Sequence, residues 1–197
     1  MEKTDLATRQ KILNAALKQF AHGGYAGTSV QAIVDDAQVT KPTLYYYFAN
    51  KAALYSALVD FAHDERFRLI QDAAKKGMTL EEQLVEILNA LFVFLKGHRE
   101  LMRLAFSTAF ASPGELPAKM NYLKKPRRNF EFIHSLIKKE LAAGRLDRRF
   151  KSKELAYGIH GLLNVYVMAH LVLPNFPLNR KTAEGIVELF LAGALKR

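Results

Sequence analysis

With 197 residues, half of them apolar and only 11 glycines and 6 prolines, the chain can bury a substantial core and is expected to be ordered. It has no cysteine, which removes disulfides, thiol catalysis and thiolate metal sites together. The net charge of +10 fits an anionic partner without establishing one, and the start, Met1-Glu-Lys-Thr-Asp, lacks the apolar core of a signal peptide, so a cytoplasmic protein is expected.

No run shows the strict alternation of a half-buried strand. Helix caps and i, i+3, i+4 apolar spacing recur instead, and the fold is predicted to be all-α. The first helix runs from a cap at Thr4 or Asp5 to about His22, with Ile12, Ala16 and Phe20 on one face, and Gly23-Gly24 stops it. Thr28 is read as the cap of a second helix, with Gln31 completing a capping box and Val30, Ile33, Val34 and Ala37 on one apolar face. Asp36 to Val39 form a turn. Thr40 caps a third helix, with Pro42 in its first turn, where a missing N–H costs nothing.

At about 100° per residue, Leu44 and Phe48 share the inner face of this third helix. Pro42, Thr43, Tyr45 and Tyr46 fall towards solvent, with Tyr47 on the flank. Two adjacent exposed tyrosines beside hydroxyls and Lys41 suit a helix laid in a DNA major groove, the hydroxyls and Lys41 reaching phosphates and the rings meeting sugars or thymine methyls. Asn50 caps a fourth helix and places Lys51 at its N-terminus, where dipole and cation both favour a phosphate. Leu54, Leu58 and Phe61 are expected to face inwards along it, and it continues past Arg66 to Ala74.

The run from Thr28 to Leu58, with Thr40-Lys-Pro-Thr-Leu-Tyr-Tyr-Tyr-Phe48 followed by Asn50-Lys51 and Leu54, resembles the DNA-binding domain of the TetR family of bacterial transcriptional regulators. The likeness covers the first quarter of the chain in detail and the rest in helix order and length. It implies a three-helix helix-turn-helix DNA-binding domain at 1–50, a connecting helix from 51, and a larger ligand-binding and dimerisation domain at 51–197, about nine helices in all. The residues it implies at DNA are Thr28, Ser29, Thr40, Lys41, Pro42, Thr43, Tyr45, Tyr46, Tyr47 and Lys51. One departure is Gln38, which stands in the turn where the family usually carries glycine; a left-handed conformation there would cost roughly 1 kcal/mol.

Beyond the head, Thr79-Leu-Glu-Glu82 is a capping box. The helix it opens carries Leu84, Ile87, Leu88, Leu91 and Phe92 and is apolar nearly all round, so it should be central. Further helices are predicted from His98 to about Phe110, within 116–143 with a restart at Pro126, from Ser152 to before Pro174, and from the cap Asn179 to about Leu195. The resemblance implies a small-molecule pocket among them. Phe92, Met102, Phe106, Phe110, Phe130, Tyr157 and Met168, with Tyr122 nearby, are candidate apolar lining; His134, His160 and Asn164 are candidate polar groups, each also readable as a satisfied core residue. Acidic side chains are sparse in these segments, which points to a neutral or anionic apolar effector.

From Leu155 to Asn179 there is no Lys, Arg, Asp or Glu, and Leu155–Leu173 could just span a bilayer by length. His160, Asn164 and His170 along it favour a buried helix at a subunit interface instead, with no membrane partner. The resemblance implies a homodimer whose last two long helices pair with their copies. Gly158, Gly161 and Ala169 would permit close approach, and Val165, Ile186, Leu189 and Phe190 would supply apolar surface. None of the six histidines has another at i+3 or i+4, so no metal site is expected, and no cofactor. No nucleophile motif or phosphate-cradling loop suggests an enzyme. The dense positive charge from Lys119 to Lys153 is read as a solvated face. The expected function is a ligand-responsive DNA-binding transcriptional regulator, a repressor that holds a palindromic operator as a homodimer until a small apolar effector releases it. A ligand-independent regulator or scaffold, or an enzyme using the apolar cavity, are the alternatives.

Overall fold

The structure, a computed structural model, describes residues 2–112, 114–117, 120, 124–173 and 175–195, with side chains from residue 5 onward. Lys119 and Tyr122 lie outside the described residues, as does the side chain of Thr4. Among the described residues the chain forms helices α1 (Glu2–Gly27), α2 (Val30–Ala37), α3 (Lys41–Tyr47), α4 (Lys51–Ala74), α5 (Leu80–Gly97), α6 (Arg99–Phe110), α7 (Lys124–Ala142), α8 (Ser152–Val172) and α9 (Arg180–Ala194), and no strand. The fold is all-α.

Compactness divides the chain inside α4, into a unit of residues 1–63 with 98–123 and a unit of residues 64–97 with 124–197. The sequence places the boundary inside or near α4, with the DNA-binding head ending at 50, but it places α6 in the body. In the structure α6 packs along α1, and the Tyr55 hydroxyl of α4 meets the Thr108 hydroxyl of α6 at 2.9 Å in the buried interior.

The core of the first unit gathers Ile12, Ala16 and Phe20 of α1, Ile33 and Val34 of α2, Leu44 of α3 and Leu54 of α4. Phe61 is half-exposed rather than inward, because Leu58, Val59 and Ala62 take the buried face of α4 at that level. At Gly24 the first helix breaks, with φ 67° and ψ 178°, a region only glycine adopts without strain. The carbonyls left open there draw two side chains away from the roles expected of them. The Thr28 hydroxyl donates to the Gly24 carbonyl at 2.7 Å, with the Gln19 carbonyl at 3.0 Å. With its hydroxyl engaged at the end of α1, Thr28 is not the cap of α2. Ser29 is, accepting the Ala32 N–H at 3.0 Å, and Gln31 reaches forward to Asp35 instead of closing a capping box.

Between α2 and α3 the Val39 N–H returns to the Val34 carbonyl at 3.0 Å, and Gln38 sits left-handed at φ 54°, ψ 47°. This is the closing geometry that glycine ordinarily supplies. Gln38→Gly should therefore raise stability slightly, by up to about 0.5 kcal/mol, the roughly 1 kcal/mol of relieved strain less the extra freedom of an unfolded glycine. Thermal unfolding reads this as a rise in Tm of a few degrees or less; a fall would mean the turn is not left-handed.

In the second unit α5 is central, with Leu84, Ile87, Leu88, Phe92 and Leu95 almost fully buried and α9 and α7 packed against it. Its capping box forms as expected. The Glu82 N–H donates to the Thr79 hydroxyl at 3.2 Å, while the Glu82 carboxylate accepts the Met78 and Thr79 N–H groups at 2.7 and 3.2 Å, which lower its pKa. Gly77 precedes this cap because a Cβ there would stand 2.4 Å from the Gln83 nitrogen. In α8, Leu155, Ala156, Ile159, Leu163 and Val167 turn inwards, and the helix packs on α7 and α9. It is long and apolar enough to cross a membrane by length and composition, but only this one face is buried.

Candidate functional site

The outward face of α3 is set by what lies behind it. Leu44 is fully buried and Phe48 nearly so, with the Arg9 guanidinium 5.2 Å from the Phe48 ring. Thr40 caps the helix, accepting the Thr43 N–H at 3.3 Å, and the two hydroxyls meet at 2.9 Å. With the inner edge pinned, Tyr45 and Tyr46 stand 48% and 76% exposed. Ser29, Thr40, Lys41 and Pro42 are exposed beside them, and Thr43 is half-buried. Behind α2, the Asp36 carboxylate accepts from Gln19 and Lys18 of α1, each at 3.0 Å, which holds its pKa below the ordinary range. A depressed carboxylate stabilises at neutral pH, and this brace is lost as pH falls through the lowered value.

Three of the residues expected at DNA are turned to support instead. Thr28 is buried against the end of α1. Tyr47 is half-buried, stacks edge-on to Tyr46 at 5.0 Å, and donates its hydroxyl to Asp5 near the start of α1, which raises its pKa. The Lys51 ammonium lies 4.4 Å from the centre of the Tyr25 ring and donates to the Tyr25 and Thr28 carbonyls, both at 2.8 Å. Only one of its three N–H donors is left for a phosphate. Lys51→Met should therefore lower the unfolding temperature together with DNA affinity, by about 1–3 kcal/mol in stability. Lost affinity at unchanged Tm would return Lys51 to the phosphate role alone.

The ten candidate ligand residues divide between the two units. Met102, Phe106 and Phe110 belong to the first, where Met102 is buried, Phe106 half-buried and Phe110 exposed. The second unit holds the rest. Phe92 is core, and Met168 and Tyr157 are exposed. Phe130, itself buried, stacks on Tyr157 at 4.7 Å, lies at 6.0 Å from the His134 ring, and meets His160 edge-on at 5.6 Å. His134 is a structural tie, its ring nitrogens 3.0 Å from the Ser152 hydroxyl and 3.2 Å from Glu131. His160 is different: its Nδ1 is buried with no hydrogen-bond partner, and burial first, then the charge of Arg66, push its pKa down to about 4. Asn164 follows one turn later, half-buried. Arg66 itself, not foreseen as a site residue, keeps some exposure by area, yet its guanidinium lies deep enough that burial lowers its pKa to about 10. The signal was available in the spacing: Arg66 stands four residues after Ala62 and four before Ile70, both buried.

A third feature is an apolar stripe left uncovered on α8 and α9. On α8 it runs through Gly158, Gly161, Val165 (64% exposed), Met168 and Val172, and on α9 through Gly185, Leu189, Ala192 and Gly193. Open space lies over Gly161, whereas Gly158 sits beside the Phe190 ring. Ile186 and Phe190, expected on this face, turn inwards at 1% and 8% exposure, and Ala169 is half-buried. Among the described residues no group of three or more side chains is placed to hold a metal ion.

Residues 12–58 match the sequence pattern of the bacterial regulatory proteins of the tetR family. The probable HTH-type transcriptional regulator YttP of Bacillus subtilis (strain 168) is 25% identical over 84% of this chain and 78% of its own. Among solved structures, the fatty acid degradation regulator FadR from Bacillus halodurans superposes with a TM-score of 0.81 at 19% identity, over 94% of this chain and 95% of that one. The transcriptional regulator FadR from Bacillus subtilis, in complex with stearoyl-CoA, gives 0.76 at 18% identity, over 93% and 98%. At such identities these superpositions speak for the fold.

Proposed function

Because this chain belongs to the TetR family and is a DNA-binding transcriptional regulator, we propose that it acts as a homodimeric repressor that holds a palindromic operator and is released by a small apolar effector. The observation that carries this reading is the pair Tyr45 and Tyr46, exposed on a helix that Leu44 and Phe48 anchor from behind. One helix of seven residues reads too few base pairs for useful selectivity. Two must enter successive major grooves about 34–36 Å apart, which a two-fold dimer provides. The uncovered stripe on α8 and α9 is the surface that fits a second copy, its glycines allowing helices to approach and Val165 and Leu189 supplying apolar contact.

The effector would act in the second unit on α4, the helix that both units share. It shifts the balance only by its differential affinity for the DNA-bound and released states, typically about 1–3 kcal/mol. The apolar class is supported by the aromatic cluster around Phe130 and by the stearoyl-CoA bound to the Bacillus subtilis FadR. Selection of bound fragments from a random duplex pool tests the operator reading. The expected result is a two-fold symmetric consensus. Enrichment of a single asymmetric half-site would remove the dimer reading, and no enrichment would remove the proposal.

A further inference from the structure

Resting on the ligand-responsive reading above, we infer that Arg66, His160 and Asn164 form the head-group end of the effector site, and that the effector is an apolar carboxylic acid, bound as its carboxylate, with its body against Phe130. Arg66 of α4 and His160 and Asn164 of α8 belong to the same compact unit. His160 and Asn164 lie four residues apart and so share one side of α8. The Phe130 ring closes the edge of the imidazole at 5.6 Å and is itself buried.

Two features of this cluster point to an anionic oxygen. Buried polar atoms in folded proteins nearly always have a partner, and the His160 Nδ1 has none among the protein's own groups. An oxygen acceptor placed there completes the imidazole, which can offer one N–H in its neutral form. Arg66 supplies the charge. A guanidinium withdrawn from water interacts more strongly with an anion than an exposed one does, and its planar fork matches a carboxylate. The field of Arg66 is already felt at His160, whose pKa is pushed down to about 4 by burial and by that charge, so the imidazole is neutral at physiological pH and adds no second cation. Asn164 contributes an amide N–H. A cationic head group would meet Arg66 with like charge.

The test uses full-length protein and two matched probe pairs, decanoate with decan-1-ol and 4-tert-butylbenzoate with 4-tert-butylbenzamide, read by concentration-dependent thermal shift and by release of a selected operator duplex. At least one acid is expected to stabilise the wild type at concentrations tenfold or more below its uncharged partner. In Arg66→Gln that preference should shrink to about equality while the uncharged partner binds as before. In His160→Phe, which keeps a ring beside Phe130, the acid should weaken severalfold, and more than its uncharged partner, whose neutral oxygen is the weaker acceptor. Equal binding of acid and neutral partner by the wild type, an intact preference in both variants, or no binding of either pair would overturn the inference. Should Arg66→Gln fail to fold, His160→Phe alone decides. Stabilisation by the acid without operator release would leave the anion site standing and remove the effector reading, so the two failures are distinguishable.

Discussion

Replacing Tyr45 and Tyr46 together by alanine is expected to lower selective operator affinity by about two orders of magnitude or more, with the unfolding temperature unchanged within a degree or two. The two rings stand 48% and 76% exposed, so little of the core depends on them. A direct groove contact of this kind is worth about 1–3 kcal/mol of discrimination, and a dimer makes each contact twice. Leu44→Ala is the contrasting variant. Leu44 is fully buried, and truncating such a leucine costs about 2–5 kcal/mol through lost burial and the cavity left behind. It should lose DNA binding and thermal stability together, whereas the double tyrosine variant should lose only the first. If the tyrosine variant kept its operator affinity, the outward face of α3 would not be the reading surface.

Val165→Arg is expected to convert the proposed dimer to monomer, raising its dissociation constant by about a hundredfold or more. Val165 is 64% exposed, midway along the uncovered α8 stripe beside Gly161 and Met168. An arginine there costs the isolated protomer little, since its head group reaches water. In a two-fold interface the substitution enters twice, placing two cations in an apolar, desolvated surface where unpaired charge costs several kcal/mol. Operator affinity should fall with the dimer, because a single α3 cannot hold both half-sites. Analytical ultracentrifugation at micromolar concentration checks the first claim and binding titration the second. A Val165→Arg protein that remained dimeric would move the interface off this stripe.

The elements were legible in the sequence wherever the cause is local. The caps at Thr40, Asn50 and Asn179 and the box from Thr79 to Glu82 each involve three or four residues, and all form. The inward Leu44 and Phe48 and outward Tyr45 and Tyr46 follow from helical periodicity alone. What was not legible depends on partners distant in the chain. Tyr47 bonds Asp5 across 42 residues, and Lys51 reaches back to carbonyls 23 and 26 residues away, because the break at Gly24 leaves those carbonyls open. Ser29 rather than Thr28 caps α2, because the Thr28 hydroxyl is engaged at the end of α1. α9 has apolar residues on both faces, so its sequence did not separate the inward Ile186 and Phe190 from the outward Gly185, Leu189 and Ala192. Arg66 was passed over because a single cation on an otherwise apolar face reads as an exception rather than a site.

Methylation interference on the selected operator tests the central claim most directly, that the outward tyrosines of two α3 helices read one face of the duplex through its major groove. Methyl groups at guanine N7 project into the major groove and those at adenine N3 into the minor groove. The expected pattern is interference at N7 in two symmetric patches about one helical turn apart, with some N7 positions falling silent when Tyr45 or Tyr46 is replaced by alanine. Interference confined to adenine N3, or a single N7 patch indifferent to both substitutions, would contradict it.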